Sequence, residues 1–401
     1  MRLFPILFAA GMLSQAAAAE TTAPASIPAP SAPGAMGSSL APGPDGAAYL
    51  SWLEPADNAN WALKFSRYDA ARQRWGDARL IAQGADFFVN WADFPVLAVQ
   101  ADRLTAVWFV NNPGGGPGRQ GATYRALHSV STDGGEHWSA PQPVTGASGS
   151  VEFVALQPLR DGRLLAAWLD GRAHAAGSGR QQLYARMLGA PGPDVLVDGS
   201  VCDCCQLSFV PTTDGGALLA YRGRTNDEVR DMRVARFDGK NWRAPTALHA
   251  DGWRIAGCPV NGPQLAECGD RIGAVWFTAA DNQARVLARV SDNAGDSFGP
   301  LVRVDLGRPQ GRVDSVMLAD GTLVMSWLEM TGKDTGRQGG IYLRTLSLAG
   351  RLSEPQLVAP SSTSRMSGFP RMVLRGGRQL LLTGTVDGEP SQLRTLLVEL
   401  N

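Results

Sequence analysis

Net charge is what this chain lacks first: 37 Lys and Arg are matched by 37 Asp and Glu, and only 18% of its 401 residues are charged at all. Without a net field it has no general electrostatic hold on nucleic acid or on an anionic membrane, so neither is expected as a partner. Long apolar runs are missing too. The apolar stretch from Leu3 to Leu13 falls well short of the roughly 20 residues that span a bilayer, and no later stretch reaches that length. No window shows a helical period of useful length. Cysteine is sparse, with five residues, whereas 47 Gly, 26 Pro and a 44% hydrophobic content describe a turn-rich globular protein.

The beginning of the chain reads as a secretory signal: Arg2, the apolar stretch, then small residues from Ala16 to Ala19 that a signal peptidase accepts before Glu20. No Cys follows that could carry a lipid. Residues 1–19 are therefore expected to be a cleaved signal peptide, leaving a periplasmic or secreted protein with no transmembrane anchor. Residues 20–34, with Pro24, Pro28, Pro30 and Pro33, cannot form a core and read as an extended leader or edge strand. The folded unit is expected over 35–401.

Seven short apolar segments recur, phased on Trp52, Trp108, Trp168, Tyr221, Trp276, Trp327 and Gly384 at intervals of 51 to 60 residues. That is the period range of propeller blades. Each segment follows a Gly/Asp turn and precedes an alternating strand, which makes a meander. A small antiparallel sheet cannot hide both its faces, so the units must stack about an axis. The expected fold is all-β: a single β-propeller of four-stranded antiparallel blades, seven in number, the last closed by a strand from the N-terminal segment. Six blades plus a hairpin is the alternative, because the seventh copy lacks its aromatic and the chain ends before a fourth strand.

At Ser131 the sequence reads STDGGEHW, with Ser131, Asp133, Gly135 and Trp138 spaced as in the Asp-box, the bacterial neuraminidase repeat; SDNAGDSF at Ser291 is a second copy, and segments near Trp75 and Trp242 look like worn ones. On these boxes the chain resembles the sialidase-like β-propeller superfamily. In that family the box is a structural staple of the outer hairpin, remote from the active site. Sialidases use three arginines, an Asp acid/base and a Tyr nucleophile with a Glu partner, the first arginine usually within an Arg-Ile-Pro motif. This sequence has no such motif; Phe369-Pro-Arg371 is its nearest echo, and Glu329 and Tyr342 share one blade. The strings VCDCCQ and GCPVNGP are similar to those of an exported bacterial sialidase-like group.

In a propeller, the loops leading into the inner strands and those joining the second strand to the third open on one face. That face collects Asp93, Asp170, Arg172, His174, Arg222, Arg224, Met366 and Arg371, together with Cys202, Cys204, Cys205 and Cys258. Cys258 and Cys268 bracket one strand, roughly 20 Å or more apart, and should not pair. The four others enter neighbouring blades on the same face. They are read as disulfides tying adjacent blades, as a thiolate site for copper or zinc with Met366 and His174 as further candidates, or as a redox thiol pair.

Two functions follow. One is a binding module whose Cys/Arg-rich face holds a soft metal ion or an envelope protein. The other is an exo-sialidase-type glycoside hydrolase acting on a small anionic glycan, with Arg172, Arg222, Arg224 and Arg371 gripping a carboxylate and Asp93 or Asp170 donating the proton.

Overall fold

A computed structural model of the chain describes residues 23–400, apart from 102, 113–123, 148, 178 and 333–336. The expected signal segment lies outside the described residues, as does part of the 329–337 loop.

Seven antiparallel sheets succeed one another along the chain. Their innermost strands are Met36–Pro42, Val96–Gln100, Val151–Pro158, Ser208–Pro211, Gln264–Cys268, Pro309–Met317 and Arg371–Arg375, which we use to number blades 1 to 7. Each is followed by a strand carrying one of the seven repeated apolar segments and then by a third, and in blades 1 to 6 by a fourth. The single α-helix among the described residues is the one-turn segment Arg172–Ala175.

Seven blades, not six, form the ring. The seventh sheet is completed by Ala25–Ile27, whose partner is the strand Gln392–Glu399, in register Ser26 with Leu396. The Thr395 hydroxyl donates to the Ile27 carbonyl at 2.6 Å. The Pro-rich leader thus supplies the edge strand that the C-terminal end of the chain does not reach. Lack of an aromatic at Gly384 does not break the blade, because Pro370 packs over the glycine, 3.8 Å from where a Cβ would stand.

Stability is built between blades. Seven apolar clusters occupy the seven interfaces. The one that closes the ring joins Trp52 of blade 1 to Leu381 of blade 7. Trp52, Trp168, Trp276 and Trp327 are completely buried. A buried indole N–H needs an acceptor. Three blades provide one two residues along the same strand: Trp52 bonds Glu54 at 2.6 Å, Trp168 bonds Asp170 at 2.7 Å and Trp327 bonds Glu329 at 2.6 Å.

The Asp-box at Ser131 sits in the outer hairpin of blade 2. Its Asp133 accepts from the backbone N–H groups of Glu136 and His137, and Ser131 accepts from Gly135 N–H at 2.8 Å. Trp138 meets Phe65 of blade 1 edge-on at 6.0 Å. Gly135, at φ +92°, presses so closely on Phe65 that a Cβ would lie 2.3 Å from its ring.

Candidate functional site

Because the innermost strands all run the same way, the loops before them share one face, and those loops converge on the axis. Asn90 holds the segment leading into blade 2 by accepting from the backbone of Ala92 and Asp93. Trp91 then stacks on Phe369 of blade 7 at 5.8 Å, and Phe94 meets the same ring at a tilt, at 6.1 Å. Beneath this apolar plug, the seven inner strands enclose a channel of about 730 Å³.

Beside the plug lie the cysteines. Cys202 and Cys205 are buried, Cys204 is half-buried and Cys258 is exposed; all five cysteines are free. The sulfurs of Cys202, Cys204 and Cys205 all lie within 4.8 Å of one another, with 3.6 Å between Cys202 and Cys205. Cys258 lies outside this trio, and its main electrostatic partner among the sulfurs is Cys204. The structure thus gathers three of the four expected sulfurs, those of Cys202, Cys204 and Cys205, into one cluster. Cys268 is at the other end of its strand, near the Ala319 carbonyl.

Two loops bring these sulfurs together, and hydrogen bonds lock them. Gln206 donates to the Ala92 carbonyl at 2.9 Å and accepts from Gly262 N–H at 3.1 Å. Arg222, 1% exposed, donates twice to the Asn261 carbonyl, at 2.8 and 3.2 Å, and also to the carbonyls of Arg230 and Phe277. The Asn261 side chain accepts from Arg312 N–H at 2.7 Å. Gly262 is required: a Cβ there would stand 2.1 Å from the Gln206 carbonyl oxygen. The two unusual strings of the sequence thus hold each other.

The surroundings favour negative sulfur. Arg230, 3% exposed, donates to Cys202 Sγ at 3.3 Å. Hydrogen bonds from Cys204 and Cys205, with the charges of Arg222 and Arg230, hold the Cys202 thiol well below its ordinary range despite burial. Interaction with Cys202 pushes Cys204 up, and burial pushes up Cys205. Arg224 bonds Asp203 at 3.0 Å and Glu228 at 2.7 Å, and Glu228 also pairs with Arg230, so the positive wall is braced by carboxylates. A thiolate beside guanidinium groups is the form that attacks disulfides or binds metal. His174, on the helix Arg172–Ala175, is exposed and outside this group, and Met366 is exposed beside the plug.

The other site residues divide sharply. Asp170 is 1% exposed and bonded to the Trp168 indole, to Arg172 N–H and, in two-pronged fashion, to the Arg172 guanidinium. Arg172 also pairs with Asp194 at 2.8 Å and lies over the Tyr184 ring. Asp170 and Arg172 are thus engaged chiefly with each other and with neighbouring structural groups. Arg222 serves backbone carbonyls, as described. Arg371 is half-buried in the channel wall, 3.8 Å from Asp314 and against the rings of Phe94 and Phe369, and desolvation lowers its pKa. These arginines form no shared clamp.

Asp93 is different. It is 3% exposed and accepts from the Tyr124 hydroxyl at 2.7 Å and from Phe153 N–H at 3.0 Å. A bulge in the inner strand of blade 3 turns that N–H inward, with Phe153 at φ 51°. Glu152, to which Gln181 donates at 3.2 Å, interacts electrostatically with Tyr124. Burial holds Asp93 well above the usual carboxylate range and raises Glu152 to about 7. Sequence reading found Asp93 but missed Tyr124 and Glu152, which come from different blades with no motif to link them.

A family model described as "BNR repeat-like domain" matches residues 56–257, just over half of the chain. The chain belongs to this family. No curated protein matches the sequence. Among solved structures, the BNR repeat-like chain is similar to a protein of unknown function from Dyadobacter fermentans, at 13% identity and a TM-score of 0.55, covering 96% of this chain and 100% of that one. It is also similar to the GH93 α-L-arabinofuranosidase of Fusarium graminearum solved with arabinobiose, at 13% identity and 0.51, covering 94% and 98%. These likenesses establish the shared propeller fold. The NanB sialidase of Streptococcus pneumoniae aligns more loosely, at 8% identity and 0.48 over 88% and 84%.

Proposed function

We propose that this BNR repeat-like propeller is an exported binding module whose thiol rim holds a soft metal ion, copper or zinc, within the sialidase-like group marked by CDCC and GCPVNGP. The observation that carries this reading is the gathering of the Cys202, Cys204 and Cys205 sulfurs within 4.8 Å of one another, with Cys258 adjoining. Sulfur-only donor sets select monovalent copper or zinc over hard cations. Three arginines around them, Arg222, Arg224 and Arg230, offset the negative charge that several thiolates would otherwise gather in a half-buried place. Nothing in this reading requires turnover.

Metal analysis of the full chain, purified with thiols reduced and then equilibrated with copper(I) or zinc, tests it. The expected result is one ion per chain, lost in Cys204→Ser. Near-zero metal, with mass spectrometry showing Cys204 joined to Cys258 in freshly isolated protein, would establish a disulfide staple in its place.

A second reading is supported by the Asp93, Tyr124 and Glu152 group: a glycoside hydrolase in which Glu152, poised to give up a proton near neutrality, or Asp93 serves as general acid. Release of the leaving group from a panel of acidic fluorogenic glycosides, abolished by Glu152→Gln, is what it expects. No release across the panel removes it.

A further inference from the structure

Burial falls steadily across the cysteine cluster. Cys202 and Cys205 are each 1% exposed, Cys204 is half-buried, and Cys258 is open to solvent. The arrangement is also three plus one. Cys202, Cys204 and Cys205 are mutually close, whereas Cys258 stands outside them with Cys204 as its main partner among the sulfurs. The first three sit on one short segment anchored by Gln206, and Arg230 borders its innermost sulfur. Cys258 arrives on a separate loop, fixed on one side by Ile255 N–H bonding the Glu228 carbonyl and on the other at Asn261 and Gly262.

A fixed tetrahedral site uses four equivalent sulfurs closed around the ion. Here three sulfurs make a nest and the fourth stands at its mouth. Monovalent copper is satisfied by three thiolates, and it moves between sulfur ligands by associative exchange, a new sulfur bonding before an old one leaves. An exposed sulfur interacting with the half-buried one supplies such a stepping stone.

Resting on the metal-holding reading above, we propose that Cys258 is a transfer ligand: a soft monovalent ion, copper(I), is taken from a thiolate or thioether donor at Cys258, passed to Cys204, and retained by Cys202, Cys204 and Cys205. Each step forms one copper–sulfur bond and breaks another. Copper stays monovalent throughout, so no oxidant or reductant takes part. The thiol proton of each sulfur that joins passes to solvent or to the departing donor. The partner implied is a carrier that presents copper(I) on sulfur and docks at the exposed loop around Cys258.

The test uses the full chain, reduced and free of oxygen, loaded with copper(I), with a coloured copper(I) chelator as competitor for affinity and as acceptor for stopped-flow transfer. In Cys258→Ser one ion per chain is retained with affinity within about threefold of the original protein, while transfer slows by about tenfold or more. In Cys204→Ser affinity falls by about 100-fold. Sulfur coordination by X-ray absorption remains three in Cys258→Ser. If Cys258→Ser loses the ion as Cys204→Ser does, Cys258 is a permanent fourth ligand and the transfer role is overturned. Unchanged transfer rates overturn it equally, with metal holding intact. Failure of the original protein to bind copper(I) removes both readings.

Discussion

Gly262→Ala probes the joint between the two cysteine-bearing loops. The added methyl would stand 2.1 Å from the Gln206 carbonyl oxygen, 2.7 Å from its carbon and 2.8 Å from its nitrogen. All three are backbone atoms, so no side chain can swing away. An ordinary carbon–oxygen contact is about 3.3 Å, and the loops must therefore separate by roughly 1.2 Å. Overpacking of this kind costs about 1–3 kcal/mol. The separation also stretches the Gly262 N–H bond to Gln206 and the Arg222 bonds to the Asn261 carbonyl, adding about 1–2 kcal/mol. A total of about 3 kcal/mol or more is expected in urea unfolding, read from the midpoint at unchanged slope. Cys258 rides on the displaced loop, so the rate at which a mild oxidant joins Cys204 to Cys258 should also fall. A Gly262→Ala protein with stability within about 0.5 kcal/mol of the original and unchanged cross-linking would refute the close approach.

Three further outcomes are expected. Asp170→Ala strands a buried indole N–H and removes one of the two carboxylates of Arg172, which should lower stability by about 2–4 kcal/mol in urea; an unaltered midpoint would mean that Asp170 is not the structural partner described. Glu152 is raised from an ordinary 4.5 to about 7 by burial, so its neutral form belongs to the fold. Its contribution to stability should be fully present below about pH 4.5 and fall by on the order of 1–3 kcal/mol as pH rises to 7, so Glu152→Gln should flatten the slope between those pH values in urea titrations at stepped pH. A chain beginning at Ala32 lacks the closing strand, with the buried Ile27 and its bond from Thr395, and should lose about 3 kcal/mol; equal stability would show that the ring does not depend on that strand.

What the sequence disclosed and what it hid differ in range. A repeated turn, apolar segment and phase aromatic are local, so seven blades could be counted before any coordinates, and the leader could be assigned to the last blade from the strand missing there. The side of the disc on which Cys202 and Cys258 lie follows from strand direction alone. Pairing is another matter. Arg222 recognises the carbonyls of Arg230, Asn261 and Phe277, groups that every residue carries and no side chain advertises. Tyr124 meets Asp93 and Glu152 through a bulge at Phe153, where a single register shift redirects the strand. The indole partners were readable after all. An acid two places beyond the aromatic at Glu54, Asp170 and Glu329 is a sequence signal, and heeding it would have withdrawn Asp170 from the candidate acids.

The bonding capacity of the face separates its chemistries. A guanidinium grips a ligand carboxylate only with N–H groups that the protein leaves open. Arg172 faces two aspartates, Arg222 faces three carbonyls, and Arg371 is sunk between two rings beside Asp314. For an anionic sugar to engage Arg222, buried hydrogen bonds would first have to break, at about 1–3 kcal/mol for each group left unpaired. Sulfur is in the opposite condition. The thiols of Cys202, Cys204, Cys205 and Cys258 contact chiefly each other and Arg230, and a thiol hydrogen bond is weak. Exchanging those contacts for metal–sulfur bonds, or for a disulfide, costs little by comparison. The rim is therefore rigid where it carries arginine and chemically open where it carries sulfur.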